Sequence, residues 1–463
     1  EDGSVIKYRN MRNRKINQPT EDDVLDFIRI LQDELKAKPT TVRSYYNAIK
    51  GFFKFTERKG IYKNIIKDTP AKDAGCAKIP KEYKKDYLRP EEVKNILTFW
   101  LEKGVSGFRC DVITLISKKQ DFKSRFPSIA LCGKDAFVNG PRLHEYLHML
   151  YERAYKDYDC MTVGETVLCT PKQTLELVAP EREELSMIFN FSHTDSDNYF
   201  GVKQLYRKFK LTRFKKRLSL YQNLLGEGRG WNSLFIENHD QRRSSGRFGT
   251  DDGKYRIESA KSLAAAYFLL QGTPFIYEGQ EIGMQNADYT SIDEYQDVEL
   301  KNTYKLTQDS KLFKVLIGKH LFETSRDNAR TPMQWTSGEN AGFTTGKPWL
   351  KTNKNKEYIN VESSISDPNS IYHFYHQLIE IKKNYRVVRD GKYTLLLKNH
   401  SSIFAYTRET KEESMLIISS FSKKSLRNPL LKQIEGYRLL LSNYKENEDK
   451  LKPYETRIYI KEK

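Results

Sequence analysis

The chain has 463 residues, of which 38% are hydrophobic and 12% aromatic, enough to bury a sizeable core and to form two to four domains. No apolar run approaches the ~18 residues of a spanning helix, since 263–270 runs into Gln271, Gly272 and Pro274; with no apolar leader at Glu1, Asp2 and Gly3, the expectation is a cytoplasmic protein without a membrane partner. A formal net charge of +18 would suit nucleic acid, but the lysines are dispersed along the chain, as on an ordinary solvated surface.

Five cysteines (Cys76, Cys110, Cys132, Cys160, Cys169) are never spaced as CxxC, which argues against a disulfide framework and against a zinc site. They are expected to be reduced. No metal ligand set is assigned.

The first stretch is helical. Thr20 followed by Glu21, Asp22 and Asp23 makes an N-cap with an acidic first turn, and Val24, Phe27, Ile28 and Leu31 fall on one face. After Pro39, Thr40 or Thr41 caps a second helix with Val42, Tyr45, Ile49, Phe52 and Phe53 on its apolar side and Gly60 as its stop. Short helices are expected near 61–66 and 90–97. Residues 1–97 hold 22 Lys+Arg and 15 Asp+Glu, a balance of 22 − 15 = +7. Arg43, Lys50 and Lys54, on or beside the polar side of the second helix, could rest on DNA phosphates. A solvated helix face accounts for the same residues.

The run Thr40-Thr41-Val42-Arg43-Ser44-Tyr45-Tyr46-Asn47-Ala48-Ile49-Lys50-Gly51-Phe52-Phe53, with Tyr87-Leu88-Arg89-Pro90-Glu91-Glu92-Val93 further on, resembles the core-binding domain of tyrosine recombinases of the phage-integrase type. The resemblance covers about residues 5–97 and implies DNA as a partner. It implies no recombinase chemistry, because beyond Leu97 the sequence changes character.

From about Thr98, short apolar strands alternate with amphipathic helices, the pattern of a β/α architecture. Strands are predicted at 107–112, 160–164, 186–191, 233–236 and 274–277. Three of them deliver a carboxylate: Asp111, Glu165 and Asp240. Carboxylates at the C-terminal ends of parallel barrel strands converge on one mouth although 165 − 111 = 54 and 240 − 165 = 75 residues separate them. Two carboxyls about 5–5.5 Å apart can serve as nucleophile and proton donor on one glycosidic bond, with retention of configuration. A third can stabilise an oxocarbenium-like transition state.

These segments, together with Asn139-Gly140-Pro141-Arg142-Leu143-His144, Asp195-Ser196-Asp197-Asn198-Tyr199, Tyr277-Glu278-Gly279-Gln280-Glu281 and Ser325-Arg326-Asp327-Asn328-Ala329-Arg330-Thr331-Pro332-Met333-Gln334-Trp335, resemble glycoside hydrolase family 13, the α-amylase family, within its oligo-1,6-glucosidase group. The resemblance implies Asp111 as nucleophile, Glu165 as general acid/base and Asp240 as transition-state stabiliser. It also implies substrate contacts from Arg109, which would hold Asp111 ionised, from His239 and from Arg326. Without those flanking motifs, Arg109 would read as a structural ion pair and His239 as a satisfied loop histidine. Val112 after the nucleophile implies a preference for α-1,6 over α-1,4 linkages, hence isomalto-oligosaccharides as substrate. Glu165 is expected to have a raised pKa from Asp111 and from burial. The chemistry needs no cofactor.

The last stretch reads as strands at 393–397, 402–408 and 414–420, with Asn399-His400 in a hairpin turn. The expected organisation is an all-α N-terminal bundle (1–97), a partial (β/α) TIM-type barrel holding strands four to eight (98–385), and a small antiparallel β-sandwich (386–463). The resemblance would place three further β/α units before the nucleophile strand, so an incomplete barrel with weakened or lost activity is one expectation. A DNA-binding recombinase fragment fused to an inactive glucosidase remnant, and a join of two genes without a selected function, are the others. The oligomeric state is left open.

Overall fold

The computed structural model describes residues 21–34, 36–37, 39–58, 90–121, 133–199, 201–251, 253–445 and 448–463. Its contacts divide the chain into two compact units, Glu1–Asn95 and Ile96–Lys463.

In the first unit, α1 (Glu21–Arg29) continues as a π-helical turn (Ile30–Glu34), and α2 spans Pro39–Arg58. Val24, Ile28 and Leu31 pack against Val42, Tyr46 and Phe53. The apolar spacing of both helices therefore meets in one small core, as amphipathic periodicity requires. Tyr45, read from the sequence as part of the apolar side, is instead 49% exposed, and Tyr46 takes the buried position. The helix expected near 61–66 lies outside the described residues.

The second unit is built on parallel strands. After α3 (Pro90–Glu102), which straddles the division between the units, come β1 (Gly107–Cys110), β2 (Met161–Glu165) and β3 (Met187–Phe189). They pair in parallel, with Cys110 opposite Gly164 and Glu165 opposite Phe189. A hairpin of β4 (Asn198–Tyr199) and β5 (Val202–Tyr206) precedes β6 (Ser233–Leu234) and β7 (Thr273–Pro274), a second parallel pair. A bridge between Ile188 and Asn232 joins β3 to the β6 side. Five parallel strands thus follow one another in chain order among the described residues, shorter than the apolar runs suggested because the chain leaves the ladder early to form the site loops.

The C-terminal part carries β8 (Lys392–Leu396), β9 (Ile403–Glu409), β10 (Glu413–Ser420), β11 (Leu426–Arg427), β12 (Arg438–Ser442), β13 (Lys450–Leu451) and β14 (Thr456–Glu462). Five of these form an antiparallel sheet of order β12-β14-β10-β9-β8, and β11 pairs with β13 as a separate ribbon. Alternation decides which side chain faces what. Phe404, Tyr406, Met415 and Ile417 join the large core with α4 (Leu211–Leu225), α5 (Arg256–Phe268) and α6 (Ile371–Asn384), while Ile403, Ala405, Leu416 and Ile418 pack with Leu430 and Leu451 on the other face. The arrangement is a sheet covered by helices on one face and by the ribbon on the other, rather than a symmetric sandwich. α5 is buried along Leu263–Phe268, and its alanines let the sheet approach closely enough for Ser262 to donate to the Ser420 carbonyl at 2.8 Å.

Cys110, Cys160 and Cys169 are free thiols; Cys76 and Cys132 lie outside the described residues. Among the described residues no helix is long and apolar enough to cross a membrane.

Candidate active site

Because β1 and β2 are in register, Asp111 and Glu165 leave their strands side by side. Arg109, two residues before Asp111 on the same strand, binds both: Nη1 donates to Asp111 Oδ1 at 2.9 Å, and Nη2 donates to Glu165 Oε2. The two carboxylates therefore share one cation. Their surroundings differ, since the Asp111 side chain is 70% exposed and that of Glu165 16%. Burial pushes the Glu165 carboxyl above its usual range, and a hydrogen bond with Asp111 adds to this; Arg109 opposes it, and the charges of Asp111 and Asp240 reinforce it. A raised carboxyl beside a second, more exposed carboxylate is the arrangement that acid/base chemistry can use. The raised pKa agrees with the sequence reading, with burial as the larger cause.

Val112, directly after Asp111, has φ 41° and ψ 40°. A β-branched residue rarely adopts the left-handed region, and such strain is held where the surrounding structure over-determines it. The turn swings the chain sharply away from the end of β1.

Asp240 comes from the segment after β6. Its neighbour Glu237 is buried and serves as a structural anchor, receiving Arg243 Nη1 at 3.1 Å, Ser244 N at 2.8 Å and Ser244 Oγ at 2.6 Å. That anchor fixes the base of the loop, and Asn238 Oδ1 accepts from Asp240 N at 2.9 Å. Arg330 then donates from Nη2 to Asp240 Oδ1 at 2.7 Å and from Nε to the His239 carbonyl at 2.7 Å. His239 Nε2 lies 3.4 Å from Asp240 Oδ2. Arg326 reaches Asp240 Oδ1 at 3.7 Å with Nη1, but its main hold is the buried Asp297, through Nε at 3.2 Å and Nη2 at 3.0 Å.

The structure thus brings Asp111, Glu165 and Arg109 into one hydrogen-bonded group and Asp240, His239 and Arg326 into another, with Glu165 sensing the charge of both. Beside Glu165 a cavity of about 220 Å³ is lined by Arg109, Glu165, His239, Phe189, Phe235 and Phe275, among others. Phe189 meets Phe235 and Phe275 edge to face, with centroids 5.4 and 4.7 Å apart. A second cavity, about 460 Å³, adjoins at Asp240 and is bounded by the β4–β5 hairpin and Arg242. Asp197 holds that wall, binding Arg247 at 2.7 Å and Arg242 at 3.0 Å.

Sequence reasoning missed Arg330, although the residue lies in a motif it singled out. The signal was too weak because its partners lie 90 and 91 residues away, and only the fold joins them. Of the three residues proposed for DNA, all lie on α2: Lys54 is exposed, whereas Arg43 and Lys50 are half-buried. His148, Glu152 and Glu183 form an exposed group within 4.8 Å; exposed acidic groups are common without an ion, and no metal is assigned to them.

Residues 75–391 match the family model described as the α-amylase catalytic domain. The chain is 42% identical over 380 residues to an oligo-1,6-glucosidase of Parageobacillus thermoglucosidasius, covering 80% of this chain and 67% of that protein. It is 40% identical to a trehalose-6-phosphate hydrolase of Bacillus subtilis, covering 80% of this chain and 66% of that protein. The crystal structure of a Bacillus licheniformis trehalose-6-phosphate hydrolase superposes with a TM-score of 0.74 at 39% identity, over 81% of this chain and 68% of that one. An isomaltulose synthase from Klebsiella sp. LX3 superposes with a TM-score of 0.75 at 29% identity, over 82% and 68%. The chain spans about two thirds of the length of these relatives.

Proposed function

Because the chain belongs to the α-amylase family, we propose that it is a retaining α-glucosidase acting on short gluco-oligosaccharides, with α-1,6-linked chains as its preferred substrates. The observation that carries the reading is the shared arginine: Arg109 holds Asp111 and Glu165 together, while burial and Asp111 raise the pKa of Glu165.

In this reading the Asp111 carboxylate attacks the anomeric carbon as protonated Glu165 gives its proton to the leaving glycosidic oxygen. Water then enters, Glu165 takes its proton, and the sugar leaves Asp111 with its configuration retained. Asp240, kept in place by Arg330 and flanked by His239, stabilises the positive charge that develops on the ring. The preference for α-1,6 linkages rests on Val112 and on the oligo-1,6-glucosidase relatives. The trehalose-6-phosphate hydrolase relatives make that disaccharide phosphate the first competing substrate to assay.

The test is hydrolysis of isomaltose, maltose and p-nitrophenyl α-glucoside by the full chain beside E165Q and D111N. Turnover of isomaltose ahead of maltose, lost in both variants, supports the reading. Equal turnover in the variants would reveal a contaminant, and no turnover by any of the three proteins would refute the activity.

No role in DNA binding is proposed. The structure shows α2 as one wall of a small core with two of the three cations half-buried, an arrangement that a solvated helix accounts for.

A further inference from the structure

A cleft of about 1210 Å³ opens between the starting ends of the parallel strands and the edge of the C-terminal sheet. Tyr151, Tyr158 and Trp231 line one side, and Tyr393, Arg408 and Lys411 the other. None of these residues has a part in the glycosidase mechanism.

Arg408 is the anomaly. It sits on β9 opposite Tyr393 and is 2% exposed. A guanidinium offers five N–H donors, yet among the described residues its side chain makes one hydrogen bond, from Nη2 to the Arg389 carbonyl at 3.3 Å. Among the described residues its Nε is buried with no acceptor, and no carboxylate lies within 4 Å of the guanidinium. Burial pulls its pKa down to about 10. Lys382, close enough to feel Arg408, is pulled down to about 7, by burial first and by that arginine second. Lys382 spends its donors on the carbonyls of Phe268 and Leu270, at 3.0 and 2.7 Å. Arg408 is thus a buried guanidinium without a direct ion pair among the described residues, reached only by the more distant charge of Asp390, an arrangement proteins avoid because the ion has lost its water.

The carboxylates of the cleft do not supply a direct ion pair, because their hydrogen bonds are made elsewhere. Asp390 binds Arg389 at 2.6 Å, Glu184 binds Arg182 at 2.8 Å, Glu409 binds Lys463 at 3.1 Å and Glu227 approaches Arg229 at 3.9 Å. Glu183 takes the Tyr151 hydroxyl. Lys392 and Lys411 add two lining cations with no carboxylate within 4 Å among the described residues.

We propose that this cleft is a binding site for a phosphate-bearing ligand, with Arg408 supplying the buried guanidinium for its oxyanion and Lys411 a second positive charge at its mouth. A planar guanidinium matches the spacing of two phosphate oxygens and binds them through parallel N–H donors. The cleft far exceeds the volume of a lone phosphate, and its tyrosines and tryptophan offer flat surfaces to the apolar face of a sugar. Free phosphate and a sugar phosphate share the oxyanion chemistry, and affinity separates them.

Calorimetric titration of the full chain with inorganic phosphate and with glucose 6-phosphate tests the site, with glucose and with sodium chloride at matched ionic strength as controls. The expected result is saturable binding of a phosphate ligand, weakened about tenfold in K411Q, abolished in R408Q and retained in E165Q, which separates this cleft from the catalytic one. Tighter binding of glucose 6-phosphate would identify the sugar phosphate as ligand, and equal affinities would identify phosphate alone. Because R408Q removes a buried side chain and can unfold the sheet, the exposed K411Q decides the matter by itself if that variant is insoluble. Absence of saturable binding, or unchanged affinity in K411Q, overturns the proposal.

Discussion

In the proposed mechanism Arg109 faces two carboxylates whose tasks conflict: it must keep Asp111 ionised without stripping the proton from Glu165. Burial of Glu165 is what lets both conditions hold, since it opposes the arginine at that carboxyl alone. Replacing the cation separates the two effects. R109Q should lower kcat about 10²-fold through the loss of electrostatic support at Asp111, and should move the alkaline limb of the pH–rate profile upward, because the positive charge that lowers the Glu165 pKa is gone. A profile that keeps its shape while its height falls would assign Arg109 a purely structural role. His193 illustrates the opposite use of burial. It is fully enclosed, its Nε2 donates to the Phe235 carbonyl at 2.6 Å, and desolvation pulls its pKa from 6.5 down to about 4. Between those values the unfolded chain binds the proton and the folded chain does not. The contribution is complete above pH 6.5 and is lost as pH falls toward 4, by roughly 3 kcal/mol for 2.5 pKa units. Denaturant midpoints measured from pH 7 to 4 should fall less in H193Q than in the parent protein, and parallel curves would show that other groups govern acid unfolding.

At the level of elements, strands and carboxylates were legible for one physical reason. Short apolar runs ending in Asp or Glu satisfy a local rule, and β1 and β2 obey it, with Gly164 beside Glu165 leaving just enough room: a Cβ there would stand 2.8 Å from Leu185 Cδ1 and 2.9 Å from Ile113 Cγ2. What joins elements was not legible. Lys215 reads in sequence as one basic residue among several on an amphipathic helix, yet it is fully buried and donates to the carbonyls of Leu397, His400 and Ile403 at 2.6, 2.8 and 2.9 Å. It closes the same turn in which His400 Nδ1 accepts from Ser402 N and Ile403 N at 3.2 and 3.1 Å, so the turn chemistry assigned to Asn399-His400 extends to a clamp between α4 and the sheet. K215M removes the clamp and takes the charged donor from three carbonyls, of which that of Leu397 keeps the His400 N–H at 2.9 Å, a cost of about 3 kcal/mol. Urea denaturation of K215M should show that loss, whereas a change under about 0.5 kcal/mol would mean water replaces the ammonium.

For the whole molecule, the charge of +18 is the property that sequence made most visible and least informative. Residues 1–97 carry +7, so 18 − 7 = +11 belongs to the remainder, and a surface of that kind attracts any polyanion weakly wherever it lies. The polar side of the second helix singles out Arg43, Lys50 and Lys54, whereas the structure leaves Lys54 alone of the three exposed. Counter-ion release distinguishes a local clamp from diffuse attraction, because each phosphate contact removed lowers the slope of log affinity against log salt by about 0.9. Three lost contacts would reduce the slope by roughly 2.7. The expected outcome for the triple variant R43Q/K50Q/K54Q is a change of less than about one unit, with affinity for duplex DNA low and insensitive to its sequence. A reduction near three units in fluorescence anisotropy at graded salt would instead show that α2 grips DNA, and would restore to the N-terminal unit the role its sequence suggested.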